Sequence, residues 1–209
     1  MDAREEILNR LRGKARVEAA PPAWRSRRGF DDLADRFEAA LTAAHGQVLR
    51  AGSLVEALAQ VDTVLAELGA QKVVANAGPP LADLDLPGRW PDIEWHIVGK
   101  SEGSLRDFCA TADVGLSSAD AALAETGSIV ISSGPGQSRL ATLLPPVHLA
   151  LVPAARLTTD IFTWTAARQG DLSANVVLVS GPSKTADIEQ TMAVGVHGPK
   201  RFIVVLYQD

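Results

Sequence analysis

The chain has 209 residues, of which 46% are apolar and 22% charged, with a net charge of −5 and 5% aromatics. That is the composition of a soluble globular protein long enough to bury a substantial core. A mildly acidic chain with few aromatics argues against nucleic acid, which calls for a basic surface and stacking rings.

In chain order, residues 2–12 read as a short helix with Ile7, Leu8 and Leu11 on one side. The start is charged throughout and lacks the apolar stretch of a secretory signal. No run reaches the roughly 18 apolar residues of a membrane span, so a cytoplasmic protein is expected. Residues 13–28 read as a linker with Pro21, Pro22 and the basic patch Trp24-Arg25-Ser26-Arg27-Arg28. The division is thus an N-terminal helix and basic linker, 1–28, and a domain over 29–209.

Residues 30–44 predict a helix, with Phe30, Leu33, Phe37 and Leu41 three and four apart. Ser53 and Glu56 have the spacing of a capping box. Leu54, Leu58, Val61, Leu65 and Leu68 then form one stripe, and Gly69 suits the helix end. Beyond this point short apolar runs appear at 72–75, 93–98, 129–131, 148–152, 176–179 and 202–206. Runs apolar on both faces fit strands covered on both sides. Helical patterns fall between many of them, at 104–111, 119–124, 158–168 and 185–193. The fold class expected is α/β, a mostly parallel sheet covered by helices on both faces. Residues 77–92 are a proline-rich excursion.

Polar residues gather beside these runs, where open α/β sheets place ligands. Glu125-Thr126-Gly127 precedes the 129–131 run, and a glycine-rich loop ending at Arg139 follows it. Glu125 is a candidate base or nucleophile, with the tight turn of Thr126 and Gly127 around it. Arg139 suits a carboxylate or phosphate held through two nitrogens. The two flank opposite ends of one strand, so a shared cleft needs the long loop to fold back. Ser183, Lys184 and Thr185, followed by Asp187, form a second candidate anion site after a strand. His148 and His197 are candidate proton acceptors, the latter set between Gly195 and Gly198. The four histidines show no ligand spacing, so no metal site is expected. The lone Cys109 makes neither a disulfide nor a cluster by itself.

Together, Ala124–Ser128, the run Leu143-Leu144-Pro145-Pro146-Val147-His148, the run from Gly181 to Glu189 and Gly195-Val196-His197-Gly198-Pro199 resemble the LUD-domain family. The likeness is to its lactate-utilisation protein C type, in motif order and spacing, from about residue 30 onward. It implies a fold like the sugar-phosphate isomerase and CoA-transferase superfamily. It also implies oxidation of L-lactate to pyruvate with two partner proteins carrying iron–sulfur clusters, this chain binding no cofactor itself. Arg139 or Lys184 would hold the carboxylate of the small ligand, and His197 or His148 would take the hydroxyl proton. Two alternatives stand beside this: a non-catalytic anion-binding or assembly module, and a stand-alone acyl-CoA transferase or sugar-phosphate isomerase-like enzyme. Some CoA transferases of related fold use a glutamate before a glycine-containing turn, and here Thr126 stands where they carry Asn. All these readings expect Glu125, Thr185 and His197 to converge on one polar pocket.

Overall fold

The structure, a computed structural model, describes residues 3–12, 24–168, 173–186, 192–194 and 198–208, with backbone alone at 184–186 and 192–194. Helix α1 (Ala3–Arg12) buries no side chain. Helix α2 (Leu33–Ala43) starts at Asp32, whose side chain accepts the Asp35 N–H at 2.8 Å, and buries Phe37 and Leu41 one turn apart. Strand β1 (Gln47–Ala51) follows. Helix α3 (Leu54–Leu68) carries the expected cap. The Glu56 N–H donates to Ser53 Oγ at 3.2 Å, and the Glu56 carboxylate accepts the Gly52 N–H at 2.7 Å. Gly69 closes the helix in the left-handed region, φ 58°.

Next come β2 (Lys72–Ala75), α4 (Leu86–Arg89), β3 (Glu94–Ile97), α5 (Leu105–Thr111) and β4 (Val114–Ser117). A hairpin of β5 (Ala121–Leu123) and β6 (Ser128–Ser132) leads to α6 (Arg139–Leu143) and β7 (Val147–Pro153). The remainder is β8 (Leu157–Thr158), α7 (Ile161–Ala167), β9 (Val176–Val179), β10 (Lys184–Ala186), β11 (Met192–Val194) and β12 (Arg201–Tyr207).

Six strands form one parallel sheet in the order β1-β12-β7-β4-β2-β3. The central strand β7 is buried at every position, as its unbroken apolar run requires when both faces are covered. On one face α3 sets Ala57, Leu58, Val61 and Leu65 against Val73, Leu116, Leu149 and Ile203. The other face is shared. α5 and α6 cover β2 and β4 through Cys109, Ala112 and Ala141. α2 and a second sheet, in the order β8-β5-β6-β9, cover β7 and β12 through Phe37, Ile129, Val152 and Val204.

Helices do lie on both faces, but the second sheet was not anticipated. Its strand β5 occupies the alanine-rich stretch expected to be helical. Propensity favours a helix there, yet Ala121–Leu123 pairs on both sides, with β6 and β8. Small side chains let that layer pack close to the main sheet. Residues 185–193 were expected to be helical too; the described ends pair as antiparallel strands, Lys184 with Val194 and Ala186 with Met192. Strands β1 and β4 escaped the sequence reading because polar and glycine residues interrupt them. Residues 24–28, expected to be tether, lie against the domain: the Trp24 ring meets Phe162 edge-on at 4.5 Å.

Candidate functional site

The connection from β2 leads outward through α4 to β3, while that from β4 leads the other way to β7. Neighbouring strands whose connections part in this way open a crevice beyond their carboxyl ends. Asn76 stands there, directly after β2, and is nearly inaccessible. Its N–H donates to the Leu116 carbonyl at 3.0 Å. Its side-chain oxygen accepts the Ser138 N–H at 2.9 Å, while its Nδ2 has no partner among the described residues. The glycine-rich loop after β6 folds across this point. The Gly136 carbonyl accepts the Ala77 N–H at 2.7 Å, and Gly134 and Gln137 exchange two backbone hydrogen bonds. Close approach favours glycine at position 99, which holds φ 77° and where a Cβ would lie 3.3 Å from Gly136 Cα.

Ser138 then caps α6, its Oγ accepting the Leu140 N–H at 3.2 Å. Beside this turn lies an open cavity of about 540 Å³, lined by Ser133, Gln137, Ser138, Arg139 and the leucines 140, 143 and 144. Among the described residues the Arg139 guanidinium has no partner, and neither does the buried Ser133 Oγ. A free cation beside free hydroxyl and amide groups can hold a carboxylate or phosphate.

Glu125 is elsewhere. It sits at the tip of the β5–β6 hairpin, so it and Arg139 belong to opposite ends of β6 and to different surfaces. Its N–H donates to the Thr159 carbonyl and its own carbonyl accepts from Arg36, both at 2.9 Å. Its carboxylate pairs with the Arg28 guanidinium and is a quarter exposed. Gly127 holds φ 66° against α2, where a Cβ would lie 2.6 Å from Leu41 Cα. Thr126 Oγ1, Ser128 Oγ and Ser180 Oγ form a chain of two 2.7 Å hydrogen bonds. From Ser180 the chain continues to Ser183, whose N–H donates to the Pro199 carbonyl at 2.8 Å. The Lys200 N–H donates to the Pro146 carbonyl at 2.7 Å, and Gly198 lies against Ser183 and Leu143. Described parts of the four sequence motifs are therefore joined near the amino ends of β7 and β12. Lys184 and Thr185 lie on β10 by their backbone; Asp187 and His197 lie outside the described residues.

His148 does not line a cleft. It is fully buried in β7, stacked on Phe202 with ring centres 5.0 Å apart, and its Nε2 is 2.8 Å from Ser117 Oγ. Burial pushes its pKa down to about 3, so the ring is a neutral part of the core. This placement removes it from the proton-transfer role expected of it.

Asp160, Asn76 and Arg28 were not singled out by sequence. Asp160 caps α7, accepting the Thr163 N–H at 2.8 Å, and is wholly buried. Burial raises its pKa, but hydrogen bonds from Ser26 and Thr163 and the charge of Arg28 outweigh this and hold it below the usual range. A Ser or Asp at a helix start was a readable cap signal; burial beneath a distant arginine was not. Among the described residues no three His, Cys, Asp or Glu side chains gather as a metal site, and no helix is long and apolar enough to cross a membrane.

Fold and crevice define a layered α/β protein with its candidate site beyond the carboxyl ends of a parallel sheet. The chain belongs to the LUD domain family, whose sequence profile matches residues 34–207. It is 33% identical over 156 residues to a protein from Halalkalibacterium halodurans named lactate utilization protein C, covering 71% of this chain and 68% of that one. A protein of the same name from a Geobacillus species is 28% identical over 90% of this chain and 84% of its own. The crystal structure of a DUF162 family protein from Deinococcus radiodurans superposes with a TM-score of 0.58 at 20% identity, over 84% of this chain and 96% of that one. That likeness shows the fold.

Proposed function

We propose that this protein is a component of a lactate-utilisation system in the cytoplasm, in which L-lactate is oxidised to pyruvate together with two iron–sulfur proteins. What carries the reading is the name lactate utilization protein C, borne by relatives matched over 68% and 84% of their length. The α6 cavity supports a part in holding an acid: Arg139 would take the carboxylate, with Gln137 in the same lining. Electrons would leave through clusters on the partners. This chain has a single cysteine, one thiol where a cluster takes several. If this chain contributes a proton acceptor, His197 is the residue we assign to it.

Deleting the gene should abolish growth on L-lactate, and wild-type protein supplied in trans should restore it. The purified chain should not oxidise lactate with a soluble acceptor until both partners are added. Undiminished growth of the deletion strain would refute the role. One observation favours a second reading, a binding or assembly module without chemistry. Among the described residues the cavity is lined by hydroxyls, an amide and a guanidinium, with no carboxylate or imidazole. Under that reading variants at Glu125 and His197 would grow normally on lactate.

A further inference from the structure

We infer that the α6 cavity takes a monocarboxylate carrying an apolar chain considerably longer than that of lactate. The inference rests on the cavity assigned above, not on the lactate-utilisation role. Arg139 is the single charge in the described lining, which also holds Ser133, Gln137 and Ser138. One guanidinium matches one carboxylate, whose two oxygens meet the two nitrogens of the fork. A doubly charged phosphate would leave charge unmatched.

The rest of the described lining is apolar. Leu140, Leu143 and Leu144 line the cavity and are 39%, 37% and 44% exposed. They stand three and four apart on one helical face, while Ala141 and Thr142 turn inward and are buried. The face is held rigidly. Gly115 on β4 lets the Ala141 carbonyl approach so closely that a Cβ there would fall inside the oxygen's contact radius. Exposed leucines beside an arginine make the lining amphipathic. The volume, about 540 Å³, is that of sites for ligands far larger than a three-carbon acid. From Arg139 to Leu144, the residue that closes α6, the chain rises about 7.5 Å at 1.5 Å per residue, which about six to eight carbons span.

Calorimetry of the full chain with L-lactate, butanoate, hexanoate, octanoate, octylphosphate and octanol tests this. Affinity should rise two- to fourfold per methylene up to octanoate, the upper figure being about 0.8 kcal/mol per buried CH₂, so that octanoate binds at least tenfold more tightly than lactate. Arg139→Gln should weaken octanoate at least tenfold and leave octanol unchanged. Leu143→Asn should flatten the dependence on chain length. Lactate binding as tightly as octanoate would overturn the inference, as would a chain-length dependence that survives Leu143→Asn, or octylphosphate binding more tightly than octanoate. Circular dichroism of both variants establishes that they fold; a Leu143→Asn protein that does not is replaced by Leu140→Asn, read in the same way. Failure here leaves the lactate-growth experiment standing, and failure of that experiment leaves this one standing.

Discussion

The neutral imidazole at the centre of the sheet makes the stability of this protein depend on pH in a calculable way. The pKa of His148 falls from an ordinary value near 6.5 to about 3 because the ring is wholly buried. Between those values the unfolded chain takes up a proton that the folded chain refuses, so acidification favours unfolding. The penalty is nil above about pH 7, about 2 kcal/mol at pH 5, and levels off near 5 kcal/mol below pH 3, taking 1.36 kcal/mol per pKa unit. Against a usual total of about 5–15 kcal/mol that is a large fraction. Asp160, whose pKa is held below the carboxylate range, is stabilising above that range and loses its contribution only at lower pH, as the carboxylate is protonated. The window from pH 7 to 5 therefore carries the His148 contribution and leaves that of Asp160 untouched. Urea denaturation followed by circular dichroism at half-unit steps from pH 5 to 8 measures the slope. The control is the double variant His148→Leu with Ser117→Ala, which removes both ends of the 2.8 Å hydrogen bond and leaves no orphaned hydroxyl. Its slope over the window should be smaller than that of the wild type by the His148 contribution, about 2 kcal/mol between pH 7 and 5. A wild-type protein equally stable at pH 5 and pH 7, or a double variant that keeps the full slope, would refute the reasoning.

Two glycines give further tests. Gly115→Ala should cost about 3 kcal/mol or more in urea denaturation, because the new methyl meets the backbone of α6 rather than a movable side chain. It should also weaken carboxylate binding, since α6 must lift off β4 and carries Arg139 with it. Gly127→Ala combines left-handed strain, φ 66°, with a clash against the backbone of α2, and should cost about 2–4 kcal/mol by the same assay.

What could be read from the sequence follows the range of the interactions involved. The cap of α3 needs only Ser53, Glu56 and Gly69, all within one helix, and it forms as expected. The inner strands announce themselves because burial on both faces demands unbroken valine and isoleucine, as at 202–206. The stretch Ala119–Ala124 misleads because its local preference is helical, and only its pairing with β6 and β8 makes it a strand. Site geometry is less legible still. Asn76 meets Ser138 across 62 positions, and Arg28 meets Glu125 across 97. Residue types alone marked Arg139 and Glu125 as chemically able. The hairpin between them decided that one faces a cavity and the other an internal arginine.

That internal arginine bears on whether Glu125 can act as a nucleophile. A carboxylate paired with a guanidinium has its charge engaged and its approach obstructed, and both diminish attack on an acyl carbon. The pair lies partly in water, with Arg28 about half exposed, so its contribution to stability is below about 1 kcal/mol. Removing the arginine should thus leave the fold intact and open access to Glu125, while Asp160 keeps its hydrogen bonds from Ser26 and Thr163. Arg28→Ala should unfold within about 1 kcal/mol of wild type, yet its Glu125 should be modified severalfold faster by a water-soluble carbodiimide with an amine trap, read by peptide mass spectrometry. Asp160, wholly buried beneath the same segment and capping α7, should stay unmodified in both proteins and serves as the internal reference. Equal labelling of Glu125 in wild type and variant would mean that the ion pair shields nothing. Glu125 would then have to be judged as a nucleophile on its position at the hairpin tip alone.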